Sequence, residues 1–232
     1  MYSVVLLALI AALAGCTDSS KLPPEVRGQG AYVAYNCKRC HRIGDDGGDA
    51  GPDLTFVGFR KTAEALDVWL KDPKAWQPQT LMPNFRLGDG PRADLAAYLA
   101  TLRGQAYREK TAPWDHPSLK NDPVKRGEEL FKRAGCIACH GPQGKGGYFN
   151  NNVPGGLVPN LLRVKRLYSE EELIQKISLG ARSIMKKDPD GPEPLLYMPS
   201  WRDVLKKDEI ESLAAYLRTF TPPAGTEEDE DW

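Results

Sequence analysis

Two short cysteine motifs constrain this chain of 232 residues more than any other feature. The first is Cys37-Lys38-Arg39-Cys40-His41 and the second is Cys136-Ile137-Ala138-Cys139-His140. In each motif two thiols stand three residues apart and a histidine follows the second thiol. This order suits covalent attachment of haem c, because each thiol can add across one vinyl group and place the histidine under the iron as its proximal ligand. The sequence therefore predicts two covalent haems. Their attachment sites would be Cys37, Cys40, Cys136 and Cys139, and their proximal ligands His41 and His140.

One motif of this kind, taken alone, could also be half of a zinc site, a redox-active dithiol or a chance occurrence. The surroundings of the two motifs repeat, however. Gly28 and Tyr32 stand at the same distances before Cys37 as Gly127 and Phe131 stand before Cys136. The pentapeptide Leu-Ala-Ala-Tyr-Leu occurs at residues 95–99 and again at 213–217. The chain is therefore an internal duplication, which favours haem over the other three interpretations.

Apolar residues recur with helical period in both copies, and no stretch alternates as a strand would. Proline near helix starts and glycine after helix ends support the predicted limits. The predicted helices are 26–36, 62–71 and 91–102 in copy one, and 123–134, 169–179 and 207–220 in copy two. The fold class is all-α. The predicted division is copy one at 25–104, a linker at 105–122 crossing the surface, copy two at 123–221 and an acidic tail at 222–232.

The first residues have the composition of a signal peptide for export. Residues 2–15 are almost wholly apolar and small, a run too short for a comfortable transmembrane helix. Leu13-Ala14-Gly15-Cys16 resembles the bacterial lipobox, which predicts a signal peptide at 1–15, a lipid anchor on Cys16 and a tether at 16–24. No Lys or Arg precedes the apolar run, which departs from the usual pattern. An ordinary secretory signal and an uncleaved anchor are the alternatives.

Charge and cysteine content exclude some functions. Lys plus Arg and Asp plus Glu both number 31, so the formal net charge is zero and nothing points to nucleic acid. Of five cysteines, four lie in the motifs and Cys16 lies in the leader, so no structural disulfide is expected. We expect the protein in the bacterial cell envelope, in the periplasm or on the outer face of the cytoplasmic membrane.

The second axial iron ligands must come from outside the motifs. The chain has three histidines, and two of them are the predicted proximal ligands. Two histidine ligands for each of the two haems would need four histidines, so at least one haem takes a different second ligand. Met82-Pro83 and Met198-Pro199 each lie shortly before the last helix of their copy, which predicts Met82 and Met198 as ligands. Met198 precedes Leu213 by 15 residues, close to the 13 between Met82 and Leu95, whereas Met185 precedes it by 28. His116, in the linker, is expected at the surface or a hinge and would be the first substitute for either methionine.

This order of motifs resembles the class I cytochromes c, over nearly all of residues 24–222. The resemblance implies that Gly28, Tyr32, Leu95 and Tyr98 pack where the first and last helices cross, as do Gly127, Phe131, Leu213 and Tyr216. It implies that the carbonyl of Pro52 orients His41, and that of Pro159 orients His140. It also implies that Trp76 holds a haem propionate, although an ordinary packed tryptophan would suit the same position.

An iron with His and Met in both axial positions has no free site for substrate, so the sequence predicts an electron carrier with positive potentials. The chain resembles the two-haem class I cytochromes c of bacterial respiratory chains. The implied partners are a quinol-oxidising complex and a terminal oxidase or reductase, either for a mobile carrier or for a fixed subunit. The competing interpretation is a two-haem peroxidase, in which one haem opens a coordination site for peroxide.

Overall fold

The computed structural model describes residues 19–181 and 183–223 and is mostly helical. Copy one contains α1 (Pro24–Ala34), α2 (Val57–Arg60), α3 (Ala63–Lys71), α4 (Pro73–Trp76) and α5 (Asp89–Thr101). The helix α6 (Gln105–Arg108) follows. Copy two contains α7 (Pro123–Arg133), α8 (Ile137–His140), α9 (Val164–Leu167), α10 (Glu170–Leu179) and α11 (Lys207–Leu217). The all-α fold in two tandem copies is thus confirmed. A two-residue hairpin pairs β1 (Arg42–Ile43) with β2 (Asp46–Gly47) in antiparallel register.

The six predicted helices are all present, with small shifts at their ends. Helix α1 begins at Pro24, two residues earlier than predicted, because the first helical position has no need of the N–H that proline lacks. Helix α11 ends at Leu217, three residues earlier than predicted. The chain turns there so that the Phe220 ring packs 4.9 Å from the Tyr216 ring, measured between centroids.

The first and last long helices of each copy cross at a glycine. A Cβ atom on Gly28 would lie 1.9 Å from the carbonyl oxygen of Asp94, and one on Gly127 would lie 1.9 Å from that of Ser212. Aromatic pairs flank both crossings: Tyr32–Tyr98 with centroids 5.8 Å apart and Phe131–Tyr216 at 5.6 Å. The two copies in the sequence therefore each form the same helix crossing.

Alanine at position 28 should destabilise the protein, because its methyl group would overlap the α5 backbone rather than a side chain that can move. We expect Gly28→Ala to lower the free energy of unfolding by about 1–3 kcal/mol, the range for overpacking. Gly30, in the same helix, has open space where a Cβ would stand. Gly30→Ala should instead stabilise by roughly 0.5–1 kcal/mol. Denaturant titration of both variants tests this, and equal effects would contradict the packed crossing.

Three buried side chains anchor the predicted linker, residues 105–122, to the core. Tyr107, Ala112 and Trp114 are buried, and the Trp114 indole N–H donates a 2.7 Å hydrogen bond to the Glu209 carboxylate of α11. Tyr107 packs on Phe56 of copy one, with ring centroids 6.1 Å apart. Most other residues of the segment are exposed, so the segment follows the surface while these three apolar side chains hold it against both copies.

Copy one also contributes directly to the core of copy two. Phe56 and Phe59 belong to the same buried cluster as the copy-two core, and the Phe59 and Trp201 ring centroids are 5.2 Å apart. At the edge of this junction Arg133 forms a 3.2 Å ion pair with Asp49. The two copies and the linker therefore pack as one body, while copy one keeps a second core around Leu66, Leu95 and Leu99.

None of the helices in the described residues is both long and apolar enough to cross a membrane. The predicted signal peptide, Cys16 and most of the acidic tail lie outside the described residues.

Candidate haem sites

Both cysteine motifs form a single helical turn. The first starts in a short 3-10 helix (Cys37–Arg39) and the second ends in α8. The Cys37 carbonyl accepts hydrogen bonds from the N–H groups of Cys40 and His41 at 3.2 and 3.0 Å. The Cys136 carbonyl accepts them from Cys139 and His140 at 3.1 and 3.0 Å. Each turn therefore holds two thiols one turn apart with the histidine directly after, as a doubly attached haem requires.

A proline carbonyl faces each motif histidine. His41 Nδ1 lies 2.8 Å from the Pro52 oxygen, and His140 Nδ1 lies 3.3 Å from the Pro159 oxygen. A carbonyl only accepts hydrogen bonds, so Nδ1 carries the proton and the Nε2 lone pair is left for a metal. Burial lowers the pKa of both histidines, against a smaller opposing effect of the proline carbonyls. Burial thus favours the neutral imidazole that can ligate iron.

The two predicted methionine ligands are partly buried, and each packs against the core that also contacts the first cysteine of its motif. Met82 and Cys37 contact the copy-one core, and Met198 and Cys136 contact the copy-two core. The Met198 carbonyl accepts a 2.8 Å hydrogen bond from the Ala181 N–H. Met185 is 74% exposed, so its side chain does not pack against the copy-two core as Met198 does.

Trp69 and Trp76 occupy different surroundings in copy one. The Trp69 N–H donates to the Met82 sulfur at 3.2 Å, a contact that sequence reasoning missed. Trp76 is half-buried and packs against Phe149 of copy two, with centroids 5.5 Å apart. Its role at a haem propionate stays a prediction. His116 is exposed and bonds to Ser118 through Nδ1.

Three consecutive asparagines hold the long segment before Met198. Asn150 is 4% exposed; its amide donates to the Leu196 carbonyl at 2.9 Å and accepts from the Leu196 N–H at 3.1 Å. Asn151 makes the same kind of pair with Glu193 and Leu195. Asn152 bonds to the backbone of Asp188 and Pro192. This asparagine ladder, residues 150–152, ties the glycine-rich loop after His140 to the loop that carries Met198.

The site chemistry fits haem better than zinc. Within residues 19–181 and 183–223, no three His, Cys, Asp or Glu side chains converge as a metal site would require. The four motif cysteines form no disulfide with one another, each pair is followed by a ligand-competent histidine, and a sulfur ligand is available beside each core. These residues would hold two haem c groups, each supplying one-electron redox chemistry.

Comparison with known proteins supports this assignment. The family model "Cytochrome c" matches residues 25–103 and 124–221. The FixP subunit of a cbb3-type cytochrome c oxidase from Azorhizobium caulinodans is 26% identical, over 81% of this chain and 57% of that protein. The CcoP subunit from Helicobacter pylori is 24% identical, over 84% of this chain and 58% of that protein. A nicotinate dehydrogenase subunit from Pseudomonas putida is 34% identical, over 55% of this chain but 10% of that protein.

No solved structure matches this chain significantly. The chain spans less than two thirds of the length of the oxidase subunits it matches. The family model nevertheless covers most of the chain, in two regions that each contain one complete cysteine motif. The chain belongs to the cytochrome c family and carries two covalent haem c groups.

Proposed function

We propose that this protein transfers electrons in a bacterial respiratory chain, with each haem iron held by one histidine and one methionine. The observation that carries the proposal is the matched packing of Cys37 with Met82 and of Cys136 with Met198, each pair against one core. His41 and Met82 would fill both axial positions in copy one, as His140 and Met198 would in copy two. Filled positions leave electron exchange as the available chemistry.

The protein's own residues prepare this site in three ways. Pro52 and Pro159 hold the Nδ1 proton of the proximal histidines, which leaves the Nε2 lone pair of each to bind an iron. Trp69 and the asparagine ladder fix the segments that present the methionines. The buried cores beside both sulfurs exclude water, and thioether ligation with a low-polarity surrounding favours ferrous iron and hence a positive potential.

The partners we propose are a quinol-oxidising complex as electron donor and a terminal oxidase or reductase as acceptor. The oxidase subunits matched along most of this chain support the acceptor. The chain would act as a mobile carrier or as a subunit of such a complex, and co-purification from solubilised membranes distinguishes the two.

We also propose attachment to the membrane through a lipid on Cys16, on the periplasmic side or the outer face of the cytoplasmic membrane. The support is the sequence Leu13-Ala14-Gly15-Cys16 after an apolar run. Mass spectrometry of the mature protein should find Cys16 as the N-terminus, carrying a diacylglyceryl group. A Cys16→Ser variant that is processed and retained on membranes unchanged would place the anchor elsewhere.

Carbon monoxide distinguishes the carrier from a two-haem peroxidase. We expect the fully reduced protein to bind no stoichiometric carbon monoxide on mixing and to turn over no peroxide, because both irons are six-coordinate. Absorbance spectra recorded with and without carbon monoxide provide the measurement. Rapid binding of one equivalent, together with peroxide turnover, would favour the enzyme.

A further inference from the structure

Arg60 is the last residue of α2 in copy one, yet its side chain ends against the haem motif of copy two. The residue is 4% exposed. A Cβ on Gly135 would lie 2.6 Å from the Arg60 Cζ and Nη2 atoms and 2.7 Å from Nε, so the guanidinium lies flat on the Gly135 backbone. Gly135 has a φ of +79° and directly precedes Cys136, the first haem-attachment residue of copy two.

Arg60 is a buried cation that one backbone hydrogen bond holds in place. Its Nη2 donates to the Asp53 carbonyl at 3.1 Å. In the part of the chain that the structure describes, its Nε has no hydrogen-bond acceptor. Solvent screens a charge at such a buried position weakly, so the charge acts on the groups next to it.

The neighbour of Arg60 in copy two is the second haem motif. Gly135, against which the guanidinium packs, is followed directly by Cys136, the first attachment residue. The Gly135 carbonyl accepts a 3.0 Å hydrogen bond from the Ala138 N–H, so the contact is with the turn that carries both thiols. A buried cation of copy one therefore lies beside the attachment turn of copy two.

Copy two offers no equivalent of this arrangement. Pro52 and Thr62 are ten residues apart in copy one, and Pro159 and Ser169 are ten apart in copy two, so the segments align without a gap. Arg60 then corresponds to Leu167, which is 55% exposed. Around the first motif, Lys38 lies at the surface and pairs with Asp46 at 3.3 Å. Arg133 of copy two lies near the residues that follow the first motif, but it pairs with Asp49 at 3.2 Å. The cations near the first motif are thus neutralised by carboxylates, unlike Arg60.

We propose that Arg60 of copy one raises the reduction potential of the haem bound by copy two. The inference rests on the proposed electron-transfer function. Ferric haem carries one more positive charge than ferrous haem, so a fixed cation beside the attachment edge favours the reduced form, and burial reduces the screening of that effect. Copy one thus supplies part of the electrostatic environment of the other haem, and the junction between the copies contributes to redox tuning.

The test is a spectroelectrochemical titration of the purified two-haem protein and its variants. Arg60→Gln should lower the potential of the copy-two haem and leave that of the copy-one haem in place. Arg60→Lys, which keeps the charge, should restore most of the difference. Arg103 is the matched control, because it packs 5.4 Å from the Phe59 ring at the same junction but is exposed. Arg103→Gln should change neither potential.

Thermal unfolding of each variant shows whether the junction is intact. If Arg60→Gln fails to load haem, Arg60→Met replaces it, because apolar residues often substitute well for buried charges. An unchanged copy-two potential in a folded neutral variant, or equal shifts in both haems, would overturn the proposal. Failure of the proposed function appears separately, as wild-type spectra that lack methionine ligation.

Discussion

Replacing Met198 with alanine should abolish the sulfur-to-iron charge-transfer band of one haem and lower the potential of that haem. The reason is that thioether sulfur stabilises ferrous iron, and removing it leaves water or no ligand in its place. The other haem should keep its band and its potential, because Met82 lies against a separate core. Absorbance spectra of the oxidised protein and a redox titration measure both effects, and the band should fall to about half of its wild-type intensity.

Met185→Ala is the matched control for this substitution. Met185 belongs to the same inter-helix segment of copy two but is 74% exposed, whereas Met198 packs against the haem-site core. The control should retain both bands. Loss of a band in Met185→Ala, with Met198→Ala unaffected, would reverse the assignment of the ligand.

Removing the Asn150 side chain should destabilise the loop that presents Met198. Asn150→Ala leaves the N–H and C=O of Leu196, two residues before Met198, without their hydrogen-bond partner. Each polar group left unsatisfied inside the protein lowers the free energy of unfolding by about 1–3 kcal/mol. We expect a lower free energy of unfolding. We also expect the charge-transfer band of one haem to be lost at a lower temperature than that of the other.

Asn121→Ala serves as the control, since Asn121 is exposed in the linker. It should leave stability and both bands unchanged. If Asn150→Ala keeps wild-type stability and both bands disappear together on heating, the asparagine ladder does not position Met198.

The repeated features of the fold could be predicted because they depend on local spacing. Gly28 and Gly127 precede their cysteine motifs by equal distances, and both lie at helix crossings. The proline carbonyls at 52 and 159 also face the motif histidines, as the family resemblance implied. Short-range patterns of this kind identify helices and their buried faces directly.

The junction between the copies could not be predicted from either copy alone. An apolar pattern shows that a face is buried, but it does not show which surface covers it. A signal was present in the comparison of the copies: Phe56 and Phe59 of copy one correspond to Arg163 and Arg166 of copy two. Apolar residues in one copy and charged residues in the other indicate that copy one buries this face, which the structure shows against Trp201.

The asparagine ladder was missed for a different reason. Asn150 pairs with Leu196, 46 residues later, through side chain to backbone hydrogen bonds. Such bonds depend on backbone atoms that every residue has, so the sequence of the partner segment gives no indication of them. In the sequence, residues 150–152 appear only as three polar residues in a glycine-rich loop.

NMR of the fully reduced two-haem protein shows whether both irons have one histidine and one methionine ligand, because the ring current of a diamagnetic haem shifts the methyl protons of a bound methionine far upfield. We expect two such methyl signals, of which Met198→Ala removes one and Met82→Ala the other. A single upfield methyl signal in the wild-type protein, or none, would mean that at least one haem lacks its methionine ligand, and His/Met ligation of both irons would then be wrong.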